Sequence, residues 1–204
     1  MGVLIRLALG LAAAVMGGAL AWADAVGGVV TIVEGPVQVV RGVNRSPLAP
    51  GVRLKPGDLL FVDSGGLLRI ETAEGVRADL AAGARAMWMP AVGPASGQLL
   101  HWQAGWLKLS VPTPRGAGPV GVWSSGLQIE ELGVGVFFLE AAQSIVFAET
   151  GKLTGTLRGP AGPGGPTIRL KPGELLSRPA DKPPSIAPVP TPAFLARLPV
   201  ASAA

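Results

Sequence analysis

An eight-residue block that occurs twice constrains this chain more than any other feature. Arg53-Leu54-Lys55-Pro56-Gly57-Asp58-Leu59-Leu60 returns as Arg169-Leu170-Lys171-Pro172-Gly173-Glu174-Leu175-Leu176, displaced by 116 positions from Leu54 to Leu170. Proline presets φ for the second position of a tight turn, and glycine accepts the positive φ that the third requires. The flanking leucines suit strands. Pro56, Gly57 and Asp58, and again Pro172, Gly173 and Glu174, therefore read as structural turns rather than catalytic groups. At the same displacement upstream, Glu34-Gly35-Pro36-Val37 answers to Thr150-Gly151-Lys152-Leu153. Each unit is expected to run strand, glycine turn, strand, loose loop, repeated turn, strand.

Thirty Gly and twenty Pro in 204 residues, without long helical periodicity, extend that reading to the whole chain. They predict an all-β fold of many short strands, solenoid-like or sandwich-like, in a single domain. Three segments are expected: 1–23, 24–178 and 179–204. In the first, Arg6 precedes the apolar run Leu7 to Leu20, and Ala21-Trp22-Ala23 forms a small-x-small site before Asp24. That is the layout of a cleaved signal peptide. The run is short for a bilayer span of about 20 residues. The expected product is an exported, periplasmic chain with no transmembrane segment after cleavage. Residues 179–204, with Pro183-Pro184, Pro188, Pro190 and Pro192, read as an extended Pro/Ala-rich tail. In it, Phe194-Leu195-Ala196-Arg197-Leu198 alone has the character to dock.

Loss of Arg6 leaves sixteen Lys/Arg against thirteen Asp/Glu, a dispersed net of +3. Nucleic-acid binding needs a clustered basic stripe, so it is not expected. The absence of cysteine excludes disulfides, a thiol nucleophile and thiolate metal sites.

Strands are expected at 26–34 and 37–41, then, after a loop from Asn44 to Gly51, at 59–62 and 67–72. If Ala73-Glu74-Gly75 is a three-residue loop, residues whose numbers sum to 148 face one another. Leu68, Ile70 and Thr72 then meet Leu80, Ala78 and Val76 on one face. Glu71 meets Arg77 and Arg69 meets Asp79 on the other, as a solvated cross-strand ladder. A strand at 85–89 follows, then a hairpin from Gln98 to Val111 turning at Gln103-Ala104-Gly105. Strands at 120–124 and 127–131 come next. Val134-Gly135-Val136-Phe137-Phe138-Leu139 is apolar on both faces and reads as the most buried strand. A strand at 144–149 leads into the second repeat.

Little here suggests an enzyme, and no cofactor is expected. The single histidine, His101, falls on the Leu99/Leu107/Leu109 face and reads as a partly buried core residue. Gly-x-Ser-x-Gly, His-Glu-x-x-His and phosphate-cradling loops are absent. The candidate partner-binding residues are Trp102, Trp106 and Lys108. In the expected hairpin the two indoles are directly cross-strand, either stacked over the sheet or forming an exposed platform with the cation.

The order of motifs resembles the FecR domain of the bacterial envelope over about 26–178. Gly28-Val29-Val30-Thr31-Ile32-Val33-Glu34-Gly35 is similar to its opening strand and turn, and Leu54-Lys55-Pro56-Gly57-Asp58-Leu59-Leu60 to its L-x-x-G-D-x-I signature. Glu74-Gly75-Val76 resembles its D-G-S hairpin, with Val76 in place of serine. Gly105-Trp106-Leu107-Lys108-Leu109 resembles its G-x-V-x-V strand. Gly135-Val136-Phe137-Phe138-Leu139 resembles its G-T-x-F-x-V strand, with Val136 in place of threonine, and Leu170-Lys171-Pro172-Gly173-Glu174 its closing L-x-x-G-E. Name-giving members carry a cytoplasmic anti-sigma region and a transmembrane segment ahead of this domain, where the present chain has residues 1–23. The resemblance implies a stand-alone all-β periplasmic module that binds an envelope protein or relays a signal. Recognition of peptidoglycan or another polysaccharide through the tryptophans is the alternative.

Overall fold

The computed structural model describes residues 27–90, 98–112, 121–131, 133–158, 165–196 and 198. The expected signal segment and its cleavage at Asp24 lie outside them, as does most of the loops expected around 90–97, 112–119 and 160–166. Strand occupies 60% of the described residues and helix 3%, so the fold is all-β as the glycine and proline content predicts. The first strands are β1 (Gly28–Glu34), β2 (Val37–Arg41), β3 (Asn44–Pro47), β4 (Leu59–Val62), β5 (Leu67–Thr72), β6 (Arg77–Ala81), β7 (Arg85–Trp88) and β8 (Gln98–Ser110). The chain continues through β9 (Gly121–Trp123), β10 (Leu127–Glu131), β11 (Val134–Glu140), β12 (Gln143–Thr150), β13 (Leu153–Leu157) and β14 (Thr167–Leu170). It ends with β15 (Glu174–Pro179), β16 (Ser185–Pro188) and a single-turn helix α1 (Thr191–Leu195).

Two sheets share β8. The first runs β1-β5-β6-β8-β11-β12-β15-β16, and the second β3-β2-β4-β7-β8-β9-β10-β13-β14. All pairings are antiparallel except β8 with β9. The inner faces meet in one apolar cluster that takes Leu68, Leu80, Leu107, Phe137 and Val146 from the first sheet and Val39, Leu60, Trp102 and Ile129 from the second. A shared core makes this one domain.

β8 corrects the sequence reading. Gln98 to Ser110 is not a hairpin turning at Gln103-Ala104-Gly105 but one thirteen-residue strand with a bulge at that point. Its first half pairs with β7, where Arg85 faces Ala104 and Ala86 faces Trp102, so Gln103 is the extra residue. Its second half pairs with β6 and β11. Gly105 holds φ at 79°. A Cβ there would sit 2.5 Å from Cα and N of Ala84, in the corner where the chain leaves β6 for β7. The kink and that corner therefore interlock, backbone against backbone.

The repeated turns are alike to the atom. Asp58 N donates to Lys55 O and Glu174 N to Lys171 O, both at 3.0 Å. In return the carboxylates accept the amides of Lys55 (2.7 Å) and Lys171 (2.8 Å). Gly57 (φ 87°) donates to Trp88 O, and Gly173 (φ 81°) to Ala148 O. The strands they launch pair differently, however. β4 lies against β2 and β7, whereas β15 lies against β12 and β16. The order of each unit repeats, but the pairing does not.

The two turns differ in their acid: Asp58 is buried, whereas Glu174 is half-buried. Asp58 receives both Arg41 Nε (2.7 Å) and Nη2 (2.6 Å). Burial alone would push its carboxyl up, but the Arg41 guanidinium and the Lys55 amide override that and hold it below the usual carboxylate range. The expected loop from Asn44 to Gly51 contains β3, a short edge strand on β2. The extended segment after 179 is tied to the domain, in part through the stretch expected to dock. Residues 185–188 pair with β15, and α1 brings the Phe194 ring to 4.3 Å from Phe147.

The hairpin of β5 and β6 has the register read from its charges, with Arg69 facing Asp79 and Glu71 facing Arg77. Its ladder is solvated at one rung only: Glu71 is exposed and Arg77 partly so, whereas Asp79 is 5% exposed on the rung it shares with Arg69, with β1 and β8 flanking the hairpin.

Two predictions follow from the turns and the kink. Gly57→Ala and Gly173→Ala should each cost about 1–2 kcal/mol from positive φ alone. Gly105→Ala adds a backbone collision and should cost more than either, as read from denaturant midpoints. For Asp58 the folded pKa is lowered, so its stabilisation is present above the unfolded value of about 3.9 and disappears as pH falls through the folded one. Asp58→Asn should lose about 1.5–3 kcal/mol at neutral pH and flatten the loss of stability below about pH 5. Parallel melts across pH check this.

Candidate functional site

The side chains proposed from sequence to act together are separated by the bulge of β8. In an unbroken strand the even-numbered residues 102, 106 and 108 would share one face. The extra residue at 103 reverses the alternation, so Leu100 and Trp102 point inward before it and Leu107 and Leu109 after it. Trp102 is 1% exposed and meets the Phe137 ring edge-on at 5.9 Å in the core. It is not available to a partner. Trp106 lies on the outer face of the first sheet, half-buried, its ring 4.4 Å from that of Phe138. Lys108 shares that face but is not a free cation, since its Nζ pairs with Glu149 at 2.8 Å.

This outer face has two zones. Over β5, β6 and β8, register places Arg69 beside Asp79 and Asp79 beside Lys108. Arg69 bonds Asp79 at 2.6 Å and 3.2 Å, and this hydrogen bond raises the Arg69 pKa. Arg77 stands 3.8 Å from the same carboxylate. Over β8, β11, β12 and β15 the face turns apolar. Val136 and Phe147 are fully buried there, while Trp106, Phe138, Ile145 and Leu175 are half-buried. Phe194 from α1 covers the Phe147 end, so the aromatic pair Trp106–Phe138 lies beside the cover. Sequence reasoning missed Phe138, Ile145 and Glu149 as members of this surface. The continuous apolar run 134–139 carried the signal, because a strand apolar on both faces needs cover on both.

His101 stacks on Trp123 with ring centroids 4.5 Å apart. Burial lowers its pKa from the ordinary value near 6.5, so the imidazole is uncharged at neutral pH. Arg158 sits 5.6 Å from the centre of the same indole. Among the described residues no three His, Asp or Glu groups come together in a way that could hold a metal ion. A cleft of about 690 Å³ opens near the bulge, lined by Gln103, Gln143, Ser144, Glu140, Arg178 and Lys182 among others. Arg178 donates to the carbonyls of Gly126 and Arg158, tying β15 to the second sheet. The chemistry offered is hydrogen bonding and charge.

The two tryptophans should behave differently when truncated. Trp102→Ala, which empties a core position, should cost about 3–5 kcal/mol. Trp106→Ala should cost closer to 1 kcal/mol, the scale of one half-buried ring contact. Equal losses in thermal melts would contradict the assignment of the two rings to opposite faces.

No family model matches the chain, and no curated protein matches it. Among solved structures it is similar to two crystal structures of a protein from Parabacteroides distasonis ATCC 8503 described as "a putative anti-sigma factor". The identity is 17% in both, the TM-scores are 0.53 and 0.52, and the match covers 64% of this chain. The chain spans 59% of the length of those proteins. At that identity the likeness is one of fold.

Proposed function

We propose that the chain is a non-enzymatic FecR-type module of the bacterial cell envelope that acts by binding another protein, in relay of a signal. The observation that carries this is the outer face of the first sheet, where the half-buried Trp106 and Phe138 lie between charged pairs and the α1 cover. Aromatic residues at the centre of a patch with a polar rim are what protein interfaces use as anchors. The fold shared with the Parabacteroides protein and the motif order read as FecR-like support the same role.

Export through residues 1–23 places the partner in the periplasm on this reading. The glycan alternative loses its two-tryptophan platform, because Trp102 belongs to the core. What still favours it is the polar cleft beside Gln103 and Arg178.

The test is crosslinking in intact cells followed by capture of the chain from the periplasmic fraction. The captured protein should have the mass of a chain beginning at Asp24 and should bring one envelope protein with it. Trp106→Ala should retain fold and location and lose that partner. Retention of residues 1–23 with membrane pelleting, or unchanged capture by the variant, would overturn the proposal. Co-sedimentation with purified peptidoglycan that requires Arg178 would favour the glycan reading instead.

A further inference from the structure

The two sheets have four outer edges, of which one is covered and two are blunted. Along β1 the edge is taken by residues 51–54: Val30 donates to Val52 O, Gly51 to Val30 O and Leu54 to Gly28 O. The edges at β3 and β16 are blunted by proline. Leu48 donates to Val37 O, which makes 37 and 48 a hydrogen-bonded pair of the β2–β3 ladder. Because such pairs alternate with ones whose N–H and C=O face outward, Arg45 and Pro47 face outward. By the same logic Val189, which donates to Gly173 O, sets Ile186 and Pro188 outward on β16. Each proline thus removes an outward N–H, the usual way to blunt an edge.

β14 lacks this protection. Leu157 donates to Pro166 O, so Ile168 and Leu170 face β13 while Thr167 and Arg169 direct their N–H and C=O away from it. Among the described residues β14 has no second strand partner. The side chains of Thr167 and Arg169 are exposed, and Ile168 and Leu170 are buried, so the strand is anchored while its rim is open.

We propose that β14 is a docking edge that adds an extended, acidic segment of a partner protein as a further strand. Charge selects the occupant. Arg169 lies on the edge itself, and Lys152 and Lys171 close the same end of the β13–β14 hairpin. In the two-fold registers that overlap the whole strand, a second copy would bring Arg169 opposite or diagonal to its own equivalent, which like charges oppose. A partner strand with carboxylates at alternate positions meets no such penalty. The inference goes beyond the envelope reading and does not depend on the compartment.

The experiment uses the full chain and two fluorescent capped hexapeptides, one alternating valine with glutamate and one alternating valine with lysine. Binding of the first should saturate, weaken with salt and slow hydrogen exchange at the amides of Thr167 and Arg169, while the second does not bind. Arg169→Pro copies the device at Pro47 and Pro188 and should weaken binding at least tenfold. Arg169→Glu keeps the backbone donor and should reverse the preference, which keeps the proposal testable if the proline variant misfolds. Absence of binding by the acidic peptide, binding by both peptides alike, or a chain dimer that Arg169→Glu does not strengthen or weaken would each overturn it.

Discussion

Everything in this molecule is arranged about the continuity of β8. A strand can belong to two sheets only if its backbone turns from one plane to the other without losing its ladder, and the bulge at Gln103-Ala104-Gly105 supplies that turn. The turn needs a positive φ and space for the Gly83–Ala84 corner, so the fold depends on a single position without a side chain. The bulge also inverts the alternation of side chains. Leucines at both parities enter one core, and Trp106 is placed on the outside although Trp102, four residues earlier, is inside.

How far the sequence reveals this depends on the distance between interacting residues. The repeated Lys-Pro-Gly-acid turn is decided within four residues, and its geometry agrees in both copies. The β5–β6 hairpin is decided within fifteen, by one register that satisfies both apolar and charged pairs. Gln103-Ala104-Gly105 is different, because glycine with positive φ serves a hairpin and a bulge equally well. What selects the bulge is pairing of the two halves of β8 with β6, β7, β9 and β11, spread from Arg77 to Glu140. No local pattern contains that information. The candidate site inherited the error, since Trp102 and Trp106 face one another only if the chain reverses between them.

The carboxylates drawn into either sheet are arranged for mutual satisfaction with bases. Asp58, Asp79 and Glu149 each have a basic partner within 4 Å. A nearly buried carboxylate such as Asp79 is tolerable because Arg69 holds both of its oxygens. These groups specify register more than they add net stability, since desolvation offsets much of the attraction. Lys152, Arg169 and Lys171 at the β13–β14 hairpin stand apart from this pattern, being exposed and, among the described residues, outside these ion pairs.

The closing of β15 by β16 has a consequence for how the chain reaches this state. Until β16 arrives, β15 presents a bare row of donors and acceptors beside the apolar outer face, the kind of surface on which incomplete chains aggregate. The piece that covers it is the next in sequence, joined through residues 180–184, and a local hairpin of this kind forms in about 1–10 μs. The proline that seals the new rim travels on the same strand. The most hazardous edge of the first sheet is therefore exposed for the shortest time, because the chain carries its own guard immediately behind it.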